Sequence, residues 1–343
     1  MKAFAHPDQA LHQPVWFVMR GRLRPNFEVA ARAESLLAGL GQAGIAPSLP
    51  PPAPMPAIAA VHDPAYLAFL RDAATEWATL ADPGPELVPN IHPTPEMLEQ
   101  GGGAGEHVIG RLGQFTADTG CPIGPGTWQA SLGAAACALA AAEVAAGGGH
   151  AYALCRPPGH HAYGARAGGH CYLNNAAIAV AHLRARGARR VAVLDIDSHH
   201  GNGTQGIFWR DPSVLTVSVH GDPDRYYPWY IGRAHEVGGP GAEGTNLNLP
   251  LAFGTADSGW LAAIATGIAA IQAFGAEALV VPLGFDASEH EPLNALSVTP
   301  DGFARAGAAI RALGLPTVLT QEGGYNVDLI GTLLARFLDG FGA

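Results

Sequence analysis

The segment VLDIDSHHGNGTQ, residues 193–205, sets Asp195, Asp197, His199 and His200 at the end of an apolar run. Residues two apart on a strand share a face. Asp195, Asp197 and His199 therefore point one way, while His200 points the other and reads as structural. Removing two carboxylates from water is costly unless something neutralises them. The segment contains no Lys or Arg. A divalent metal ion would do so, and Asp/His sets accept Zn2+, Fe2+ or Co2+. The plainer alternative is a hydrogen-bonded polar cluster in the core.

Three further stretches carry compatible chemistry. ALVVPLGFDASEHEP, residues 278–292, delivers Asp286 at the end of a second apolar run. Alone, Asp286 reads equally as a helix N-cap. Beside the first cluster it completes an Asp/His/Asp set with a position open for water and substrate, as catalytic metal sites require. LCRPPGHHAYG, residues 154–164, sets His160 and His161 after a rigid Pro-Pro-Gly turn. Adjacent histidines diverge, so they can line one pocket and divide acid and base duties near neutral pH; taken alone, a surface pair is the simpler reading. QEGGYN, residues 321–326, places Tyr325 on a Gly-Gly loop. Its phenol could donate to a developing oxyanion, although Gly-Gly-Tyr is often only a turn. In GGHCYLNN, residues 168–175, backbone groups at Gly169 could hold an amide, and Asn174 and Asn175 read as helix caps.

These residues follow the strand candidates 151–155, 190–197, 214–220, 278–286 and 317–324, which alternate with helix candidates at 26–44, 128–147, 174–187, 260–274, 302–313 and 327–340. That alternation predicts a parallel sheet covered on both faces, with ligands at the carboxyl ends of its strands. Residues 81–127 interrupt the pattern with Gly- and Pro-rich sequence. So long an interruption reads as a binding loop or lid, or as a surface excursion with short helices of its own.

The net charge of −10 argues against a nucleic-acid surface and is compatible with a cationic substrate. The four cysteines lack C-x-x-C spacing and read as reduced thiols. No apolar segment precedes the polar residues of MKAFAHPDQALHQP, and no long apolar run escapes interruption by Gly or His, so a cytoplasmic protein without a membrane partner is expected.

The motifs RPPGHHA, GGHCYLNNAAIA, LDIDSHHGNGTQ, SVHGDP, PLGFDASEHEPL and QEGGY occur in the order and spacing of the zinc-dependent histone deacetylase superfamily. Within it the chain most resembles the bacterial acetylpolyamine amidohydrolases. GPGTW at 124–128, RPNFEVAARAESLLAGL and VHDPAYLAFL extend the resemblance towards the N-terminus. It implies an α/β arginase/deacetylase fold, a single domain over residues 1–343 with a parallel sheet of about eight strands flanked by helices on both faces.

The resemblance also implies site residues. Asp197, His199 and Asp286 match the ligands of one catalytic Zn2+, with Fe2+ or Co2+ as alternatives; His160 and His161 match the tandem acid–base pair, and Tyr325 the oxyanion donor. Asp195 matches the partner of His160, and Asn202 stands at the partner position of His161, where some relatives have Asp. Asp195, Asp197, His199, Ser218 and Val219 match the site of a structural K+ or Na+. His170 occupies a channel-wall position that is often Phe or Tyr.

For the substrate, the resemblance implies a small cationic acetylated amine. The insertion at about 81–127 resembles a dimerisation arm that narrows the entrance, so a homodimer is expected. Glu96, Glu99 and Glu106 are its candidate acids for a substrate ammonium, with Glu106 favoured as nearest the GTW motif; Leu293 stands where a eukaryotic relative has a gatekeeper Glu. The rival readings are an acetyl-lysine deacetylase of the class II type, an arginase-like enzyme with two Mn2+ ions, and a non-catalytic binding protein.

Overall fold

In the structure, a computed structural model whose described residues are 1–293 and 295–343, the apolar runs pair into one parallel sheet. The strands are β1 (Lys2–Phe4), β2 (Trp16–Met19), β3 (Arg22–Pro25), β4 (His150–Ala153), β5 (Val191–Asp195), β6 (Val214–Gly221), β7 (Asn246–Leu251), β8 (Ala278–Leu283) and β9 (Thr317–Gln321). Among the described residues the main sheet has seven strands in the order β1-β4-β9-β8-β5-β6-β7, where about eight were expected. β2 and β3 form a separate antiparallel ribbon. β7, NLNLPL, escapes a sequence reading because Asn and Pro are poor strand residues; it lies at the sheet edge, where Pro250 is tolerated.

The helices are α1 (Ala31–Gln42), α2 (Met55–Ala59), α3 (Pro64–Trp77), α4 (Pro95–Glu99), α5 (Val108–Phe115), α6 (Thr127–Ala146), α7 (Asn175–Ala185), α8 (Asn202–Phe208), α9 (Asp257–Phe274), α10 (Pro300–Arg311) and α11 (Ile330–Phe341). Strand alternation divides the core. Ala192 and Leu194 of β5 face the layer of Leu36, Trp260, Phe303 and Phe337, from α1, α9, α10 and α11. Val191 and Val193 face the other layer, where Cys137 and Ala141 of α6 meet Val180 of α7. Small side chains let α6 lie close to the sheet. By length and composition α6 could cross a membrane, but 67% of its apolar stretch is buried here.

A third cluster ties the 81–127 segment to the domain. Val108, Leu112 and Phe115 of α5, with Cys121 and Ile123, pack on Tyr66 and Phe69 of α3 and Leu139 of α6. The same segment leaves Ile91, Met97, Leu98 and Ile109 exposed.

Because β4, β9, β8 and β5 are neighbours, the loops leaving their carboxyl ends converge. Those loops carry His160 and His161, Tyr325, Asp286, and Asp197 with His199. This layer geometry depends on close helix contacts. A Cβ on Gly39 of α1 would overlap the Gly331 carbonyl of α11, and one on Gly331 would overlap the Ser35 carbonyl. Gly39→Ala would gain about 1 kcal/mol of helix propensity and lose about 1–3 kcal/mol to overpacking. Contact with rigid backbone puts the loss at the upper end, so urea denaturation is expected to show a net destabilisation of about 1–2 kcal/mol. A variant as stable as the parent would show that this helix crossing is not rigid.

Candidate active site

Asp197, His199 and Asp286 come from two loops, and a ligand atom from each lies within 4.8 Å of the others. His199 Nδ1 is 2.9 Å from Asp286 Oδ2 and 3.2 Å from Asp197 Oδ1. The ring stacks on Tyr226 with centroids 4.3 Å apart, which fixes its orientation. Backbone amides hold the outer carboxylate oxygens: Gly323 donates to Asp197 at 2.7 Å and Ser198 to Asp286 at 2.8 Å. A Cβ on Gly284 or Gly323 would strike these carboxylates.

Both carboxylates are fully buried, and their only ion-pair partners among the described residues are histidines. Burial and the neighbouring Asp197 push Asp286 upwards. Burial would lower His199, but Asp286 and Asp197 prevail and raise it to about 9. A divalent ion suits this donor set, since it would satisfy both carboxylates and take the Nδ1 lone pair in place of a proton. It is the one cluster of three such donors among the described residues, leaving the two-manganese reading without a second cluster.

The two histidines after β4 have opposite electrostatics. His160 Nδ1 lies 2.9 Å from Asp195 Oδ2, and Nε2 lies 3.8 Å from Asp197 Oδ1. Burial opposes its charge, yet the two aspartates hold it at about 10. Glu322 anchors the turn by accepting from the amides of Gly159 at 2.6 Å and His160 at 3.0 Å. His161 Nδ1 lies 2.6 Å from Asn202 Oδ1, so the amide oxygen accepts from Nδ1–H and leaves Nε2 with a lone pair. Burial, then the charges of His160 and His199, lower His161 well below the usual imidazole value. With ring centroids 4.0 Å apart, the two imidazoles are thus pushed in opposite directions, His160 towards the charged form and His161 towards the neutral one.

Tyr325 follows Gly323 and Gly324, and the latter adopts φ +116°, which glycine tolerates best. The Tyr325 amide donates to both oxygens of Glu291 at 3.1 Å. Arg32 lies 4.9 Å from the Tyr325 ring centroid and donates to the carbonyls of Glu322 and Gly324, both at 2.6 Å. Glu28 holds Arg32 at 2.7 Å and Arg156 at 3.0 Å. Burial raises the Tyr325 phenol well above its ordinary value against the pull of Arg32, so the hydroxyl keeps its proton for donation.

These groups open into a cavity of about 500 Å3 with His161, His199 and Tyr325 at its floor. His170, at φ +68°, stands in the wall with its ring 6.1 Å from Phe17 and 5.8 Å from Tyr325. Burial lowers it to about 4, leaving it neutral. The insertion lines the cavity through Asp118, Thr119 and Gly120, whereas Glu96, Glu99 and Glu106 are exposed and lie outside the lining. Glu106 stands two residues before α5 begins. Asp118 accepts from the Tyr227 hydroxyl at 2.6 Å, Gly120 N–H at 2.7 Å and Gly169 N–H at 3.2 Å. The Gly169 amide is thus engaged, and its carbonyl accepts from the Cys171 thiol at 3.4 Å.

The remaining expected residues are placed as follows. Asp195 and Ser218 are register partners on β5 and β6, Val219 is buried beside them, and Ser218 Oγ lies 2.8 Å from His220 Nδ1. His200 turns away to Gln205 at 2.8 Å. Asn174 caps α7 by accepting from Ala177 N–H at 2.9 Å. Leu293 lines the cavity and its carbonyl accepts from the Tyr226 hydroxyl at 2.7 Å. Sequence reasoning missed Asp118, Tyr227, Glu291, Glu322, Arg32 and the β2–β3 ribbon. Glu322 and Glu291 stand inside motifs already singled out; Asp118 and Tyr227 meet across 109 residues and leave no local signal.

Residues 26–341 match the family described as the histone deacetylase domain. The chain is 44% identical over 345 residues to an acetylpolyamine amidohydrolase of Burkholderia pseudomallei, covering 100% of this chain and 99% of that protein. It is 40% identical over 336 residues to acetylpolyamine amidohydrolase 1 of Pseudomonas aeruginosa, covering 97% and 96%. A crystal structure of acetylpolyamine aminohydrolase from Burkholderia pseudomallei superposes with a TM-score of 0.95 at 43% identity, covering 100% of this chain and 99% of that one.

Two outcomes are expected of this geometry. Asp286→Asn should weaken Co2+ binding by about 100-fold in calorimetric titration; undiminished affinity would place the ion elsewhere. Glu291 is raised from 4.5 to about 8, by burial and then by Asp286. The folded chain therefore holds a proton that the unfolded chain has released, so this stabilising contribution is present below pH 4.5 and lost as pH rises through about 8. Glu291→Gln should flatten the fall in stability across that window, as followed by thermal melting; an unchanged slope would assign the fall to other groups.

Proposed function

Because the chain belongs to the histone deacetylase domain family, we propose that it is a metal-dependent amidohydrolase that removes acetyl groups from small acetylated amines, namely acetylated polyamines and diamines. The observation that carries this reading is geometric: three metal-donor side chains gather within 4.8 Å, beside a histidine pair held by Asp195 and Asn202, in a cavity that Tyr325 also lines. Full-length likeness to proteins named acetylpolyamine amidohydrolases supports the substrate class.

A divalent ion held by Asp197, His199 and Asp286, zinc with Fe2+ or Co2+ as alternatives, would supply Lewis-acid polarisation and acidify water. The chain's own groups do the rest. His161 Nε2 takes a proton from the attacking water, since its Nδ1–H is committed to Asn202. His160, kept protonated by Asp195, lends positive charge beside the reacting centre. Tyr325 donates its hydroxyl hydrogen to the oxyanion that develops as the acyl carbon becomes tetrahedral. The proton on His161 Nε2 then passes to the departing nitrogen; a neutral Asn202 stabilises the imidazolium less than a carboxylate would, which eases that release.

Aromatic faces in the cavity wall favour an alkylammonium chain over an anionic one. The exposed apolar side of the 81–127 segment, with Met97 and Leu98 half exposed, supports its use as a dimerisation arm of a single deacetylase domain. A structural K+ or Na+ beside Asp195, Asp197, His199, Ser218 and Val219 is part of the same reading, supported by the pairing of Asp195 with Ser218. Four free, buried cysteines support a reducing, cytoplasmic setting.

Tyr325→Phe should lower kcat by about 100- to 1,000-fold with bound metal unchanged by elemental analysis. Near-parental turnover would remove Tyr325 from the oxyanion role. A panel of N-acetylputrescine, N-acetylcadaverine and an acetyl-lysine peptide should show kcat/KM higher for the small amines. Preference for the peptide would turn the assignment to a protein deacetylase.

A further inference from the structure

The cavity lining holds two arginines against one carboxylate, although the chain carries a net charge of −10. Arg20, at φ +52° in the turn between β2 and β3, lines the cavity, as does Arg225. Arg22 and Arg24 follow Arg20 on β3. The register pairs Met19 with Arg22 and Phe17 with Arg24. Directly paired residues of an antiparallel ribbon stand on one face. Arg22 and Arg24 therefore share the ribbon face of Phe17 and Met19 but stand outside the cavity lining, which takes in Phe17, Val18, Met19 and Arg20.

None of the four arginines has an ion-pair partner among the described residues, and the nearby Asp224 is taken by Arg233 at 2.6 Å. Asp118, the one carboxylate in the described lining, stands against two lining arginines, and its oxygens accept from the Tyr227 hydroxyl and the amides of Gly120 and Gly169. Arg225 also lies 4.8 Å from the centroid of Phe253, a ring of the same wall. It covers an aromatic face that would otherwise receive a cation from the substrate.

An acetylated amine with one ammonium meets aromatic walls along the cavity. A second ammonium, further along the chain, would lie in the field of unpaired guanidinium groups, and like charges at such distances repel in proportion to their number. Building on the amidohydrolase reading above, we infer that Arg20 and Arg225 form a charge filter at the cavity mouth, which admits acetylated amines bearing a single ammonium and disfavours those bearing two or more.

The test compares kcat/KM for N-acetylcadaverine, with one ammonium, and N1-acetylspermidine, with two, in the metal-loaded parent and in R20Q/R225Q. The parent should favour N-acetylcadaverine, and the preference should shrink between about 0.05 M and 0.5 M salt as screening shortens the reach of the charges. The double variant should move the ratio towards N1-acetylspermidine by about tenfold at low salt. A ratio that stays within about twofold of the parent's at low salt, or that ignores salt in the parent, overturns the filter. An unchanged ratio with a variant that sediments as a smaller species would also overturn it, assigning these arginines to a subunit interface. Failure of the metal-loaded parent to hydrolyse either amide would instead refute the amidohydrolase reading.

Discussion

Two fully buried carboxylates, Asp197 and Asp286, share one imidazole and have no Lys or Arg partner among the described residues. The surrounding architecture serves that arrangement. Glycines at 284 and 323 remove the side chains that would block it, amides of Ser198 and Gly323 hold the outer oxygens, and Tyr226 fixes the ring of His199. A protein interior keeps such a concentration of negative charge only when a cation completes it. The fold's main contribution is to aim β5 and β8, neighbours in the parallel sheet, so that their carboxyl ends deliver both acids to one point.

The histidine pair extends the same electrostatics outward. His160 gains its charge from Asp195 and Asp197, and that charge, added to burial, keeps His161 neutral. A charged imidazole and a basic one thus arise from identical side chains 4.0 Å apart, separated only by a carboxylate on one and an amide on the other. Glu322 and Glu291 perform a parallel mechanical task. One carboxylate clamps the turn before the histidines, the other clamps the loop that carries Tyr325, and Arg32 bridges the two through backbone carbonyls.

The cavity above this floor is assembled from segments that are not part of the central sheet. The β2–β3 ribbon contributes Phe17, Met19 and Arg20, the 81–127 segment contributes Asp118 to Gly120, and the loop after β6 contributes Tyr226 and Tyr227. Asp118 links the last two by holding the Tyr227 hydroxyl and the Gly169 amide together. The metal-donor cluster and much of the cavity wall therefore belong to different parts of the chain, joined where Tyr226 stacks on His199 and Tyr227 meets His161.

Short continuous apolar runs, several ending in Asp or His, alternating with Ala-rich helical stretches, were enough to specify a doubly covered parallel sheet with candidate chemistry at its carboxyl ends. The reason is that strand alternation and helix periodicity are local. Strand alternation also led to the separation of His199 from His200, but β5 ends at Asp195, and it is the loop after it that sets one beside the carboxylates and the other against Gln205. Edge strand β7 was hidden because Asn and Pro there follow the tolerance of an edge, which only its neighbours reveal. Tertiary structure alone decided which acid reaches the cavity: Glu106, close to a motif in sequence, stays outside on the surface, while Asp118 turns inward after α5 docks on α3. It alone also decided the protonation of the two histidines. A side chain's electrostatic state depends on burial and on partners 35 and 41 residues away, and no local pattern encodes those distances.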